Sequence, residues 1–177
     1  ILTDVLGNKQ GEVLAEEKEK TSVVFSGPAF IDEGYMPLVQ DRLSFYQKIS
    51  KAFAVDDLLE IKEEFLDRFG VFGKNIENLF LITEIQCLLY PHPVSKCKIS
   101  TSDVVFIFEE EREKIPTESF LAAIREAAKN TGTPFKVSPN GARSLKVSFK
   151  VKSLGVARDL ALNFSKNFSV IVSRLSL

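Results

Sequence analysis

The sequence is poor in the residues that most often build catalytic centres and metal sites. Its 177 residues include one histidine, two cysteines, one methionine and no tryptophan. Cys87 and Cys97 form no CxxC pair and have no histidine at metal-ligand spacing, which indicates reduced thiols rather than a zinc site or a disulfide framework. His92 stands between Pro91 and Pro93, so we expect a loop residue in an extended segment and not a catalytic base.

Long apolar runs and nucleotide-binding motifs are also missing. No stretch of about 18 apolar residues occurs, and no basic segment followed by an apolar one opens the chain. We therefore expect a cytoplasmic protein without a membrane span or signal peptide. No GxxxxGK[ST], GxGxxG or GxSxG motif is present, and the glycines of residues 69–73 are typical of a helix end. These absences predict that the chain is not itself an enzyme and binds no cofactor or metal.

The charge of the chain excludes a strong overall attraction to nucleic acid but is unevenly distributed. The net charge is −1, and acidic residues concentrate in residues 56–67 and 109–118. Solvated helix faces account for most runs of this kind. From position 143 onward Asp159 is the single acid, and the basic residues are Arg143, Lys146, Lys150, Lys152, Arg158, Lys166 and Arg174.

Helical periodicity dominates the first half of the chain. Apolar residues recur every three or four positions over about residues 39–54, 56–70 and 75–90, which predicts three helices. Pro37 suits the first turn of the first helix, and Asp56 is a candidate cap for the second. Pro91 ends the third.

After Pro93 the pattern changes to strands. Apolar and polar residues alternate over 94–101, and residues 104–108 are a β-branched and aromatic run, which predicts two strands. A helix is predicted over 117–130. Two further strands, over 135–138 and 144–152, flank an Asn-Gly turn. A last helix is predicted over 154–168. The order ααα then ββαββα predicts an α+β fold, an antiparallel sheet with helices packed on one face.

The domain limits follow from the same pattern. The chain begins with Ile1 rather than Met, and residues 1–6 are similar to the end of a helix, so we expect a piece of a longer polypeptide. Residues 1–27, which include a short β-prone run at 22–25, are interpreted as a linker. Residues 28–177 are interpreted as one domain with a helical half (35–90) and a strand-rich half (94–177).

Two motifs in the helical half carry a family resemblance. They are the turn Tyr-Met-Pro before Gln-Asp-Arg-Leu-Ser-Phe-Tyr (residues 35–37 and 40–46) and Glu-Ile-Lys-Glu-Glu-Phe-Leu-Asp-Arg-Phe-Gly (residues 60–70). The chain resembles the carboxy-terminal domain of bacterial transcription-repair coupling factors, most clearly over about residues 28–90. The matching positions are Tyr35, Pro37, Arg42, Tyr46, Phe69 and Gly70. The chain departs from the family pattern after Leu89, where Pro91-His92-Pro93 interrupts the helix.

The resemblance implies a parent protein and a role for this domain within it. The parent would be an ATP-dependent translocase on double-stranded DNA, with ATP and Mg bound elsewhere, that removes stalled RNA polymerase and recruits UvrA of nucleotide excision repair. The family assigns this domain a regulatory contact. It packs on the UvrB-like amino-terminal module of the same polypeptide, masks the UvrA-binding surface and restrains the motor.

The predicted interface lies on the second helix. Burial of the apolar side of this helix should leave Glu64, Asp67 and Arg68 exposed, with Glu64 and Arg68 spaced for an i,i+4 ion pair. Arg42 and Tyr46 are expected to make a structural contact between the first two helices.

The alternative function is nucleic-acid binding through the basic carboxy-terminal hairpin and helix. Lysine and arginine there could contact phosphates. The phenylalanines lie at core spacing rather than between basic residues, which argues against a stacking platform for single strands.

Overall fold

The computed structural model describes residues 19–108, 117–141 and 144–175. The predicted helix end at residues 1–6, most of the predicted linker, part of the acidic stretch after Phe108 and Arg143 lie outside the described residues. The described chain contains, in order, β1 (Ser22–Phe25), α1 (Val39–Lys51), α2 (Val55–Phe69), α3 (Lys74–Leu89), β2 (Val94–Ile99), β3 (Asp103–Phe108), α4 (Thr117–Thr131), β4 (Phe135–Pro139), β5 (Leu145–Lys150) and α5 (Leu154–Leu175). The predicted α+β class and order of the helices are confirmed.

The five strands form one mixed sheet in the order β1-β2-β3-β5-β4. The four strands of the strand-rich half pair antiparallel, as predicted. β1 adds a parallel edge, with Val23 opposite Cys97. Parallel pairing needs a long crossover connection, and the three helices between β1 and β2 supply it. β1 therefore belongs to the sheet although it falls in the range interpreted as a linker.

One core lies between the sheet and helices α3, α4 and α5. Alternate strand residues such as Phe106, Phe108 and Phe149 are fully buried against Phe120 of α4 and Phe164 of α5. Since successive side chains of a strand point to opposite faces, the intervening residues form the other face of the sheet. None of the described residues on that face is buried.

A second core lies among α1, α2 and α3 and the loop before α1. It includes Met36, Phe45, Phe65, Ile76 and Phe80. Helix α3 takes part in both cores, and its buried residues surround the helix instead of forming the single stripe that the sequence indicates. A helix that is apolar on all sides is typical of a buried position, and α3 is the element that unites the two halves.

Two helix boundaries differ from the predicted ones. α2 begins before Asp56, because the carboxylate of Asp57 accepts hydrogen bonds from the N–H groups of Phe53 (3.1 Å) and Ala54 (3.0 Å). These bonds hold the pKa of the Asp57 carboxyl below its usual value. α5 continues past residue 168 to Leu175.

The segment around His92 is a buried turn, so the prediction of an extended loop is wrong. The N–H of His92 donates to the carbonyl of Leu89 (3.0 Å) and that of Val94 to the carbonyl of His92 (2.8 Å). His92 is 4% exposed, and its imidazole hydrogen-bonds Ser165 Oγ through Nε2 at 2.8 Å and lies against the ring of Phe164. Packing against α5 therefore gives His92 a place in the core.

Candidate interaction surface on the first two helices

The loop before α1 is fixed to that helix by Arg42 and Tyr46. The Arg42 guanidinium donates to the carbonyls of Met36 (2.7 Å) and Pro37 (3.0 Å). The Tyr46 hydroxyl accepts a hydrogen bond from the N–H of Ile31 at 2.8 Å. The structural contact expected between the first two helices is thus a contact between α1 and its own preceding loop. It orients the turn that carries Tyr35.

Tyr35 joins that turn to the end of α2. Its ring stacks on Phe65 with centroids 5.6 Å apart and planes 4° from parallel, and its hydroxyl donates to the carbonyl of Gly70 at 2.6 Å. Burial raises the pKa of the Tyr35 hydroxyl. Gly70 has φ +78° and ψ −159°, a conformation almost restricted to glycine, and its N–H closes the last turn of α2 onto Leu66. The motif residues therefore fix where α2 ends.

Glu64 is the centre of a charged network between α1 and α2. Lys48 Nζ lies 2.6 Å from Oε1 and 2.5 Å from Oε2 of the carboxylate, and Arg68 Nη1 lies 3.1 Å from Oε1. The hydrogen bond from Lys48 is the main reason that the pKa of the Glu64 carboxyl is lowered, and Arg68 adds to it. The structure confirms the i,i+4 ion pair but also shows that Glu64 is held by its own domain.

Arg68 is held by the same network. Its Nη2 lies 3.6 Å from Asp41 Oδ1 on α1, and its guanidinium carbon lies 5.3 Å and 5.0 Å from the ring centroids of Phe45 and Phe69. These distances are within the range of cation–π contact. The Arg68 side chain remains 44% exposed, so it is accessible to a partner as well.

Asp67 is placed differently from the other two predicted interface residues. It is exposed, and it forms no ion pair or hydrogen bond with any residue in the described part of the chain. Glu60 and Glu63 are exposed as well and lie on the same side of α2, seven and four residues before it. We call the residues Glu60, Glu63 and Asp67 the acidic stripe of α2. Its charges are available to a partner without breaking an internal pair.

Apolar side chains are exposed on the same two helices. Val39 and Leu43, one turn apart on α1, are 57% and 56% exposed, Leu66 of α2 is 39% exposed, and Val71 just after α2 is 90% exposed. Single exposed apolar residues are ordinary on protein surfaces. Because they lie on α1, on α2 and just after α2, this part of the domain exposes both apolar groups and the charges of the acidic stripe.

Lys48 and Asp41 were not among the predicted site residues. They are seven residues apart on α1, and both lie on the side of α1 that packs against α2. Their spacing is visible in the sequence, but the packing of α2 against that side of α1 is not. Only the tertiary structure joins them to Glu64 and Arg68.

The basic carboxy-terminal residues whose side chains the structure describes do not all share one surface. Lys146 lies on the exposed face of the sheet, whereas Arg158 of α5 donates to Glu84 of α3 at 2.8 Å through Nε and 2.6 Å through Nη2. Lys166 is exposed on α5, and that helix packs on the opposite face of the sheet. The hairpin and the final helix therefore present their charges in different directions.

Metal and thiol chemistry has little support in the described ranges. Residues 19–108, 117–141 and 144–175 contain no group of three His, Cys, Asp or Glu side chains that could hold a metal ion. Both thiols are buried, and burial raises the pKa of Cys87 and of Cys97. No helix in the described part is long and apolar enough to span a membrane.

Comparison with known proteins supports the family resemblance of the two motifs in the helical half. The model of the TRCF domain family matches residues 25–119, which is more than half of the chain and covers both helical motifs. The chain belongs to the TRCF domain family. Within the matched range the family motif residues Tyr35, Arg42 and Gly70 make the contacts described above.

Full-length relatives of this TRCF domain are transcription-repair-coupling factors. That of Haemophilus influenzae is 29% identical over 109 residues (62% of this chain and 9% of the relative), and that of Borreliella burgdorferi is 25% identical over 151 residues (85% and 13%). That of Escherichia coli is 34% identical over 68 residues (38% and 6%). The chain thus spans roughly a tenth of the length of these relatives.

A solved structure shares the fold of this TRCF domain. The crystal structure of the C-terminal domain of a transcription-repair coupling factor superposes with a TM-score of 0.75 at 17% identity, covering 88% of this chain and 95% of the other. The strand-rich half, where the sequence resemblance is weaker, is therefore largely included in the common fold.

Proposed function

We propose that this TRCF domain is a non-catalytic regulatory module of a transcription-repair coupling factor. It contacts the UvrB-like amino-terminal module of the same polypeptide, masks the surface that binds UvrA and restrains the motor. The parent protein would use ATP and Mg to move on double-stranded DNA and remove stalled RNA polymerase. The exposed acidic stripe of α2, next to the ion pairs of Glu64 and Arg68 on the same helix, is the observation on which the proposal rests.

The physical character of this surface suits a contact that must open and close. A regulatory contact within one polypeptide separates, so both surfaces must be stable in water as well as against each other. Charged groups that are exposed, such as Asp67, are hydrated when the contact is open. They provide specificity when it is closed. The aromatic cluster around Phe65 keeps α2 in place in both states.

The structure also indicates which substitution tests the contact cleanly. Reversing Glu64, Asp67 and Arg68 together would break the pairs with Lys48 and Asp41 and disturb the packing of α1 on α2. Asp67→Arg changes only an exposed carboxylate that has no ion pair among the described residues. Glu126→Arg, at an exposed position of α4 in the strand-rich half, is a control with the same change of charge.

A competition assay tests the regulatory role. The chain is added to a complex of UvrA with the UvrB-like module, and release of UvrA is followed. The wild-type chain and Glu126→Arg are expected to release UvrA, and Asp67→Arg to need at least about fivefold more protein, equivalent to about 1 kcal/mol. Failure of the wild-type chain to compete, or ATP hydrolysis by the pure chain, would contradict the proposal.

A further inference from the structure

The exposed face of the sheet is rich in lysine. Five lysines of strands β2, β4 and β5 lie on the face of the sheet opposite the core side chains and therefore point away from helices α3, α4 and α5; they are Lys96, Lys98, Lys136, Lys146 and Lys150. The only acid in the five strands is Asp103. We call these five lysines the lysine face.

Most of the charge of the lysine face has no acidic partner in the part of the chain that the structure describes. Lys150 Nζ lies 2.6 Å from Asp103 Oδ1, so this pair is neutral. The other four lysines form no ion pair with any residue within 19–108, 117–141 and 144–175. Among the described residues, four positive charges thus remain unpaired on one side of the sheet, while the chain as a whole has a net charge of −1. This local excess predicts a polyanionic partner.

Strand register gives the spacing of these charges. Lys96 is opposite Ile107, which is opposite Lys146, so two strand intervals separate the two lysines. Lys98 is opposite Val105, Val105 is opposite Ser148, and Ser148 is opposite Lys136, so three strand intervals separate Lys98 from Lys136. At about 4.8 Å per interval the backbone separations are about 10 Å and about 14 Å. The width of the major groove of B-DNA, about 12 Å, falls between them.

The chemistry of this face favours duplex phosphates over the alternatives. No aromatic side chain lies among the outward residues of the described strands, whose apolar members are Val24, Val105 and Ile107. A platform that stacks the bases of single strands therefore has no rings to use. Lysine is a point charge on a flexible stem that suits phosphate contact, whereas sequence reading requires groups placed against base edges. Two lysine pairs at groove spacing also fit the two backbones of a duplex better than one acidic peptide.

We propose that the lysine face binds the phosphate backbones of duplex DNA without reading its sequence. This contact uses neither α2 nor the acidic stripe. It differs from nucleic-acid binding through the carboxy-terminal hairpin and helix in two respects. It needs the lysines of β2, and it does not use Arg158, which forms an ion pair with Glu84.

Fluorescence anisotropy with a labelled duplex of about 20 base pairs tests the proposal. Four phosphate contacts predict a slope of about −3.6 for log K against log salt concentration, or roughly a 150-fold loss of affinity between 50 and 200 mM salt. The variant K96Q/K98Q/K136Q/K146Q should bind at least about tenfold more weakly at 50 mM salt. The control K51Q/K74Q/K129Q/K166Q removes the same charge from exposed helix positions and should bind like wild type.

Several outcomes would overturn the proposal. They are no binding of the wild-type chain at 50 mM salt, equal losses in both quadruple variants, or tighter binding of a poly-glutamate peptide than of the duplex. If the sheet variant does not fold, as judged by circular dichroism, the single Lys→Gln variants must each reduce the slope by about one. Asp67→Arg should leave duplex binding unchanged, so this contact and the regulatory contact can fail separately.

Discussion

Phe65 supports the candidate surface, and its truncation to alanine should destabilise the domain strongly. The side chain is fully buried. The centroid of its ring lies 4.8–5.8 Å from the ring centroids of five aromatic residues, Tyr35, Phe45, Phe69, Phe72 and Phe80. Removing a buried phenylalanine ring lowers the free energy of unfolding by about 3–5 kcal/mol through lost burial and the cavity left behind. Because Tyr35 and Phe69 lie at the edge of the cluster and can move inward, we expect about 3–4 kcal/mol. For a chain of this length that lowers Tm by roughly 6–16 °C.

Urea unfolding followed by circular dichroism is the suitable assay, since the chain has no tryptophan. Phe30→Ala is the matched control, because Phe30 is 45% exposed and its truncation should lower the free energy of unfolding by about 1 kcal/mol or less. A Phe65→Ala effect no larger than that of Phe30→Ala would refute the placement of Phe65 at the centre of the helical half. Two separate transitions for the wild type would refute the account of α3 as the helix shared by both cores.

Three further results are expected. Glu64→Gln should lower the free energy of unfolding by about 0.5–1 kcal/mol at neutral pH. Because Lys48 lowers the folded-state pKa of Glu64, the difference from wild type should be complete above about pH 5 and vanish as the pH falls through that lowered pKa, which urea titrations from pH 3 to 7 measure. Gly70→Ala should lower the free energy of unfolding by about 1–3 kcal/mol in the same assay, and an unchanged value would contradict the strained φ of Gly70. Cys87 and Cys97 should not react with a thiol reagent in the folded chain and should both react in denaturant, whereas rapid labelling of the folded chain would contradict their burial.

The sequence predicts the parts of the fold that depend on local chemistry. The three-to-four-residue spacing predicts α1 and α2, and Gly70 marks the end of α2. The alternation after Pro93 predicts β2, and the β-branched and aromatic run that follows predicts β3. Each of these signals arises within one element and its cap. The pairing of β1 with β2 is different, because a short β-prone segment does not specify which strand it joins across three intervening helices.

In the candidate site, too, contacts within one helix can be predicted from the sequence and contacts between elements cannot. The spacing of Glu64 and Arg68 on one helix made their ion pair predictable, but Lys48, on another helix, depends on how α1 packs on α2. The sequence predicts that Arg42 contacts a second helix, but Arg42 instead donates to the carbonyls of its own loop. The burial of His92 likewise depends on α5, 73 residues further along the chain.

The affinity of the chain for the UvrB-like module of its own parent protein tests the central claim most directly. Isothermal titration calorimetry should show binding of the wild-type chain and of Glu126→Arg with equal affinity. Asp67→Arg should bind at least about fivefold more weakly while keeping the wild-type free energy of unfolding. Equal affinities for Asp67→Arg and Glu126→Arg would show that the acidic stripe of α2 is not the contact surface.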